Sequence, residues 1–158
     1  MLLYRRHPPH YTIVDLDNRS NILLLTVCTK NREPLLAESW VWELLVNAWG
    51  PTDHWKVGKY VVLPDHLHLF CSPMMEGRLS LARWVASWKS LISRNWRFPR
   101  QGPLWQRSFW DRQIRSGESY DSKWAYVRQN PERHKLVQNS DDWPFQGEVH
   151  KLVWHDRC

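Results

Sequence analysis

The chain has 158 residues, a formal charge of +6 and a pI near 9.5, which is a single-domain length able to bury a core without staples and a basic balance that points to a polyanionic partner. Its three cysteines, Cys28, Cys71 and Cys158, are far apart with no C-x-x-C spacing, which argues against a disulfide framework and against a cysteine zinc site. The start, Met1 to His7, lacks the long apolar region of a signal peptide and no apolar run reaches membrane length, so a cytoplasmic, nucleoid-associated protein is expected.

Residues 1–20 form a basic, proline-interrupted arm containing Arg5 and Arg6. The run Ile22 to Thr29 is apolar and β-branched, as a buried central strand would be. A helix is predicted from Ser39 to Ala48, with Val41, Leu44, Leu45 and Ala48 at helical spacing and Gly50-Pro51 as a stop. A strand from Trp55 to Leu63 then turns at Pro64-Asp65 into a second strand, His66 to about Ser72-Pro73. Because side chains alternate along a strand, His66 and His68 share one face while Leu67 and Leu69 take the other. Two imidazoles on one rigid element form a natural place for a divalent metal, although an isolated His-x-His is more often a core histidine beside a solvated one.

The clearest helix runs from Ser80, as N-cap, to Trp96, with Leu81, Trp84, Val85, Trp88, Leu91 and Ile92 as its apolar stripe. The stretch from Leu104 to Arg115 reads as a strand with irregular ends, and it carries Trp105, Arg107, Trp110, Arg112 and Arg115. A core strand has little use for three arginines and two tryptophans, so nucleic-acid contact is the favoured reading here. The chain holds twelve tryptophans, more than a core of this size needs; a surplus interleaved with cations suits the stacking of unpaired bases. A third helix, from Ser119 to Gln129 or Asn130, buries Tyr120, Trp124 and Val127. Lys123, Tyr126 and Asn130 fall on a different face. Asn130 has a simpler reading as the cap of a short helix opened by Pro131. Residues 138–158 are expected to pack as a tail against this one domain.

Taken together, Tyr4-Arg5-Arg6, Val61-Val62-Leu63-Pro64-Asp65-His66-Leu67-His68, Trp105 to Asp111, Ile114-Arg115, Tyr126 to Pro131, His134 and Trp143-Pro144-Phe145 resemble the single-tyrosine HUH transposases of the REP-associated kind. The motifs occur in the family's order over almost the whole chain. One departure is Glu132-Arg133-His134-Lys135, where the family often reads valine, lysine, histidine, glycine. The resemblance implies an α+β fold with a ferredoxin-like central antiparallel sheet. The first two helices would lie on one face, and the histidines on the other, facing the helix with the tyrosine.

It also implies an activity: a transposase and single-strand endonuclease that cuts and rejoins DNA at hairpin-forming palindromes, of the REP-element type. Tyr126 would be the nucleophile, leaving a 5′-phosphotyrosine. His66 and His68 would hold a divalent metal with Asn130 as amide ligand, Gln129 being the competitor. Mixed oxygen and nitrogen ligands suit Mg2+ or Mn2+. Arg5, Arg6, Arg107, Arg112, Arg115, Arg128 and Lys123 are candidate phosphate contacts, and Trp105 and Trp110 candidate base contacts. A monomer is favoured. The alternative is a domesticated protein that binds palindromic single-stranded DNA without cutting it, and a third reading is a metal-dependent hydrolase in which Tyr126 is structural.

Overall fold

The computed structural model describes residues 22–75, 79–114 and 120–152. Arg5, Arg6, Arg115 and Cys158 lie outside these ranges. The elements, in chain order, are β1 (Leu23–Cys28), α1 (Ser39–Trp49), β2 (Trp55–Val62), β3 (His66–Pro73), α2 (Leu81–Arg94), β4 (Trp110–Gln113), α3 (Tyr120–Val127), α4 (Asn130–Arg133) and β5 (Gln146–Glu148). The strands form one antiparallel sheet in the order β4-β1-β3-β2-β5. Its first four strands, 4-1-3-2, have the ferredoxin-like order expected of the β-α-β-β-α-β run. The tail does more than pack: residues 146–148 extend the sheet along the free edge of β2.

α1 and α2 cover one face. Leu25, Val27, Val57, Val62, Leu67, Leu69 and Cys71 point into this layer and are almost fully buried against Val41, Leu45, Trp49, Val85, Trp88 and Ile92. Ser80 caps α2, its hydroxyl accepting from the Arg83 N–H at 3.2 Å. Leu91 departs from the predicted stripe and is exposed.

Much of the tryptophan surplus is used in this layer. Trp49 lies 5.3 Å from Tyr60 and 5.7 Å from Trp88 between ring centroids, Trp88 meets Trp105 at 5.7 Å, and Trp55 stacks on Trp84 at 5.9 Å. Large aromatic faces removed from water are each worth roughly 2–3 kcal/mol or more of burial. Among the described residues no tryptophan is among the exposed large apolar side chains. Trp40, Trp42, Trp96, Trp110, Trp124 and Trp143 are half-buried, so the tryptophans beyond the core keep part of their surface in water.

The opposite face has a smaller core of Ile22, Val61, Leu63, Phe70, Ile114, Tyr120 and Val127. A register shift in β2 between Val57 and Tyr60 takes the Lys59 N–H out of the ladder, and the Tyr120 hydroxyl accepts it at 2.9 Å. Such a bulge redirects the strand and frees a donor. Gly58 sits in it because a Cβ there would stand 2.6 Å from both the Tyr120 hydroxyl and Leu152. This anchor, with Phe70 edge-on to Tyr120 at 4.9 Å, fixes where α3 begins.

Two predicted boundaries differ. The strand expected over 104–115 is regular only over 110–113; upstream, Trp105 makes an isolated bridge to Thr29 and the backbone turns around Lys89. The third helix ends at Val127, because Pro131 has no N–H to continue it, and α4 starts afresh at Asn130 with Pro131 in its first turn. Among the described residues no helix is long and apolar enough to cross a membrane, and Cys28 and Cys71 are free thiols.

Candidate functional site

The hairpin turn at Pro64-Asp65 is closed by the Leu63 N–H donating to the His66 carbonyl at 2.8 Å. It is held from the side by the loop after β1. The Thr29 backbone N–H and hydroxyl both donate to the Asp65 carbonyl, at 3.0 and 3.1 Å, and the Leu36 N–H donates to the Pro64 carbonyl at 2.8 Å. Within this loop Asn31 and Arg32 adopt φ of 56° and 54°, a left-handed conformation that non-glycine residues rarely take and that concentrates at functional sites. The consequence is that Arg32 points back at the turn, its Nε donating to Asp65 Oδ2 at 2.9 Å.

His66 and His68 lie on the α3 face, as alternation predicts. Their rings stand 5.0 Å apart at nearly right angles. Both are tethered through Nδ1. His66 Nδ1 lies 2.7 Å from Asp65 Oδ1, and His68 Nδ1 lies 2.9 Å from the Thr26 hydroxyl, a cross-strand partner in the β1–β3 register. A carboxylate accepts only from an N–H, so Asp65 fixes His66 with its proton on Nδ1 and its lone pair on Nε2. The Arg32 terminal nitrogen, 3.3 Å from the same Nδ1, then faces another donor, and Arg32 bonds to Asp65 through Nε instead.

Burial sets the charge state. It pushes His68 down to about 3, helped by electrostatic interaction with His66, Arg133, His134 and Arg32. His66 is also lowered by burial, which outweighs the opposing pull of Asp65. Burial alone would raise Asp65, but its hydrogen bonds to His66 and Arg32 win and hold it below the usual carboxylate value. The pair is therefore neutral, oriented and set in a positive field. Neutral imidazoles with a second partner on the distal nitrogen are in the form that ligates a metal.

The α4 turn closes the site. The exposed His134 ring lies 5.6 Å from His66, and the Arg133 guanidinium covers the Tyr126 ring at 4.2 Å. Tyr126 itself is 64% exposed, with its ring beneath Arg133. Asn130 is buried, its amide nitrogen donating to the Val127 carbonyl at 2.7 Å. That bond caps the end of α3 and leaves the amide oxygen as the group available for other partners; the simpler reading, a side-chain cap of α4, is not what the geometry gives. Gln129 is exposed. Among the described residues no group of three or more His, Cys, Asp or Glu side chains is placed to hold a metal. The donors expected from the resemblance, two imidazoles and one amide, include only two side chains of those types.

The other predicted contacts divide. Trp110 and Arg112, on edge strand β4, pair in register with Thr26 and Leu24, which pair in turn with His68 and Phe70. Cross-strand partners share a face, so Trp110 lies in the row of His68 and Arg112 in the next row, with Phe70. Lys123 is half-buried on α3, and Arg107 is exposed but lies beyond α2 rather than beside the histidines. Trp105 does not serve as a stacking platform: it is buried, edge-on to Trp88, and donates its indole N–H to the Lys89 carbonyl at 3.2 Å. Arg128 is ion-paired to Asp141, so any phosphate contact by it competes with that carboxylate. Sequence reasoning passed over Asp65, Arg32, Thr26 and Arg133 as orienting residues. Asp65 could have been found from its place next to His66; the others come close only through sheet register and an unusual loop.

No protein-family model matches the chain. It is similar to the REP-associated tyrosine transposase of Escherichia coli, 27% identical over 132 residues that cover 84% of this chain and 71% of the relative. A Haemophilus influenzae protein named for the same group is 30% identical over 95 residues, 53% of each chain. Among solved structures, a REP-associated tyrosine transposase bound to a REP hairpin superposes with a TM-score of 0.65 at 23% identity, covering 100% of this chain and 99% of the other. A transposase candidate from Deinococcus radiodurans gives 0.50 at 16% identity, covering 82% and 96%. Relatives in sequence and neighbours in fold thus agree with the resemblance carried by the motifs.

Proposed function

We propose that this chain, whose relatives are REP-associated tyrosine transposases, is itself a transposase of that kind, cutting and rejoining single-stranded DNA at palindromes that fold as hairpins. The observation that carries the reading is the histidine pair: both imidazoles are tethered at Nδ1, neutral, and enclosed by the turn that follows Tyr126.

A tyrosine hydroxyl is a weak nucleophile at neutral pH because its pKa is near 10. The positive groups around it help. Arg133, stacked on the Tyr126 ring, stabilises negative charge developing on the phenol. Arg32 extends the positive field across the histidines, where a phosphodiester would be drawn in. His66, His68 and the Asn130 amide oxygen, or Gln129 in its place, would hold Mg2+ or Mn2+, which when bound supplies polarisation of the scissile phosphate and offsets charge in the transition state.

Tyr126 Oη then attacks phosphorus, the bond to the 3′-side oxygen breaks, and that oxygen leaves as a 3′-hydroxyl after taking a proton. The 5′-phosphotyrosine ester conserves the energy of the broken bond. A second 3′-hydroxyl can attack it, releasing Tyr126 and joining new ends without ATP. Asp65 keeps the His66 lone pair on Nε2, aimed into the site, and Thr26 holds the His68 ring in place through Nδ1. Trp110 and Arg112, on the same sheet face, are placed to meet the strand.

The test is incubation of an end-labelled single-stranded palindrome with the protein and Mn2+, then protease digestion and a denaturing gel. The expected result is a labelled peptide–DNA adduct that Tyr126→Phe abolishes. Binding without any product would instead identify a non-cutting binder, and cleavage surviving in Tyr126→Phe a hydrolase.

A further inference from the structure

Two half-buried lysines of this chain are housed in opposite ways. Lys59 has a carboxylate, Asp121, 3.7 Å from its Nζ, and the rings of Tyr120 and Trp124 beneath it at 5.4 and 5.8 Å. Lys89, on α2, has neither. Its Nζ donates to the Gln106 carbonyl at 2.7 Å, and among the described residues the titratable group that acts on it is the Cys28 thiol, not a carboxylate. The root of the side chain is fixed, because the Lys89 carbonyl accepts from the Ser93 hydroxyl at 3.0 Å and from the Trp105 indole N–H at 3.2 Å.

An ammonium so placed is poorly solvated, and burial pushes its pKa down to about 8. At pH 8 about half of the amine is then free base, against about 0.4% for a lysine of ordinary pKa. The free base is the nucleophile. Lower basicity takes back part of that gain, about tenfold at a Brønsted slope of about 0.4–0.5, the value for sulfur nucleophiles. A net advantage of about tenfold remains.

Geometry supplies the access. Lys89 lines a concavity of about 550 Å3 at the C-terminal half of α2, with Ser90, Ser93, Gln106 and Arg107, a size that takes small molecules. Ser90, Ser93 and Arg107 are exposed, so its mouth is open. No carboxylate is among its lining residues. Arg100, also in the lining, is paired with Glu33 at 3.2 Å, which leaves Arg107 as the cation at the mouth. A lining of that sign concentrates small anions.

We propose that Lys89 is a site of acylation by small acyl phosphates, its amine reached through this concavity and the phosphate drawn in by Arg107. The Nζ lone pair attacks the acyl carbon and an N–C amide bond forms. The C–O bond to phosphate breaks, and the phosphate leaves with that electron pair and takes up the proton released by nitrogen, as hydrogen phosphate. No further reagent is consumed. The inference stands whether or not the chain cuts DNA.

The test treats the full chain with acetyl phosphate at pH 8 and follows each lysine by peptide mass spectrometry over time. Lys89 should acetylate about tenfold faster than the exposed Lys30, Lys135 and Lys151. A rate at Lys89 no greater than theirs overturns the proposal. Arg107→Ala, at an exposed position, should slow the reaction of Lys89 with acetyl phosphate about threefold or more and leave its reaction with uncharged p-nitrophenyl acetate within about twofold. A variant that slows neither reagent, or slows both equally, overturns the role of Arg107. Acetyl-coenzyme A modifying Lys89 as fast as acetyl phosphate at equal concentration overturns the assignment to acyl phosphates.

Discussion

Along β3, alternate residues meet opposite worlds. Leu67, Leu69 and Cys71 enter a dry layer under α1 and α2, closed by tryptophans. His66 and His68, one residue out of phase, enter a half-open layer ringed by Arg32, Arg133 and His134. The first face is held by area and shape, the second by hydrogen bonds that orient rings. Buried apolar area is concentrated on one side of the strand and the proposed chemistry on the other, so substitutions on the two faces should fail in different ways.

The sharpest separation is expected at the reacting groups. Tyr126→Phe and His68→Ala should each lower cleavage of a single-stranded palindrome by at least about a thousandfold, with hairpin affinity changed less than about threefold. Gel cleavage and fluorescence anisotropy on the same oligonucleotide measure the two. Loss of binding in step with cleavage would break the division.

Next in size is the dry face. Leu69→Ala leaves a cavity beneath α1 and α2 and should cost about 2–5 kcal/mol in urea unfolding. The fraction that stays folded should cleave at the normal rate.

A subtler variant lies between the faces. Thr26→Val removes the hydroxyl that holds His68 Nδ1 without opening a large void. It should cost less than about 1 kcal/mol of stability but weaken Mn2+ binding, read by calorimetry, on the order of 10–100-fold. An unchanged Mn2+ affinity would show that His68 needs no tether.

The smallest effect has the opposite sign. Lys89 has a pKa of about 8 when folded, against 10.5 as the ordinary value. The folded state therefore disfavours the protonated form. The cost is fully present below pH 8, is relieved as pH rises from 8 to 10.5, and is gone above that. Lys89→Met should stabilise the fold by about 1–2 kcal/mol at pH 7, after discounting for its contact with solvent. The gain should shrink towards pH 10.5. A gain independent of pH would assign the effect to packing rather than charge.

Much of the fold was legible because its signals are local. The β-branched runs, the stripe on α2, the Pro64-Asp65 turn and the alternation of His66 with Leu67 each depend on residues within one element, and each stands in the structure. The irregular course of 104–109 was not legible, since Trp105 follows Thr29 and Lys89, contacts made across the sequence. The tryptophans were legible only in part for a related reason. Composition counts aromatic faces but not their depth, and Trp49, Trp55, Trp84, Trp88 and Trp105 are core.

That the two histidines share a face followed from strand periodicity, and their reading as a site from the family resemblance, whereas their orienting partners followed from neither. Thr26 meets His68 through a register between strands more than forty residues apart. Arg32 arrives only because two successive residues take left-handed backbone.

The central claim is that the polar face of β3 and the turn after Tyr126 form one site for covalent cleavage. Its most direct measurement is mass spectrometry of the peptide left on DNA after reaction with a single-stranded palindrome in Mn2+. The account predicts one modified peptide, carrying the 5′-phosphoryl end on Tyr126, and none from His68→Ala. An adduct on any other residue, or cleaved DNA with free 5′-phosphates and no adduct, would contradict it.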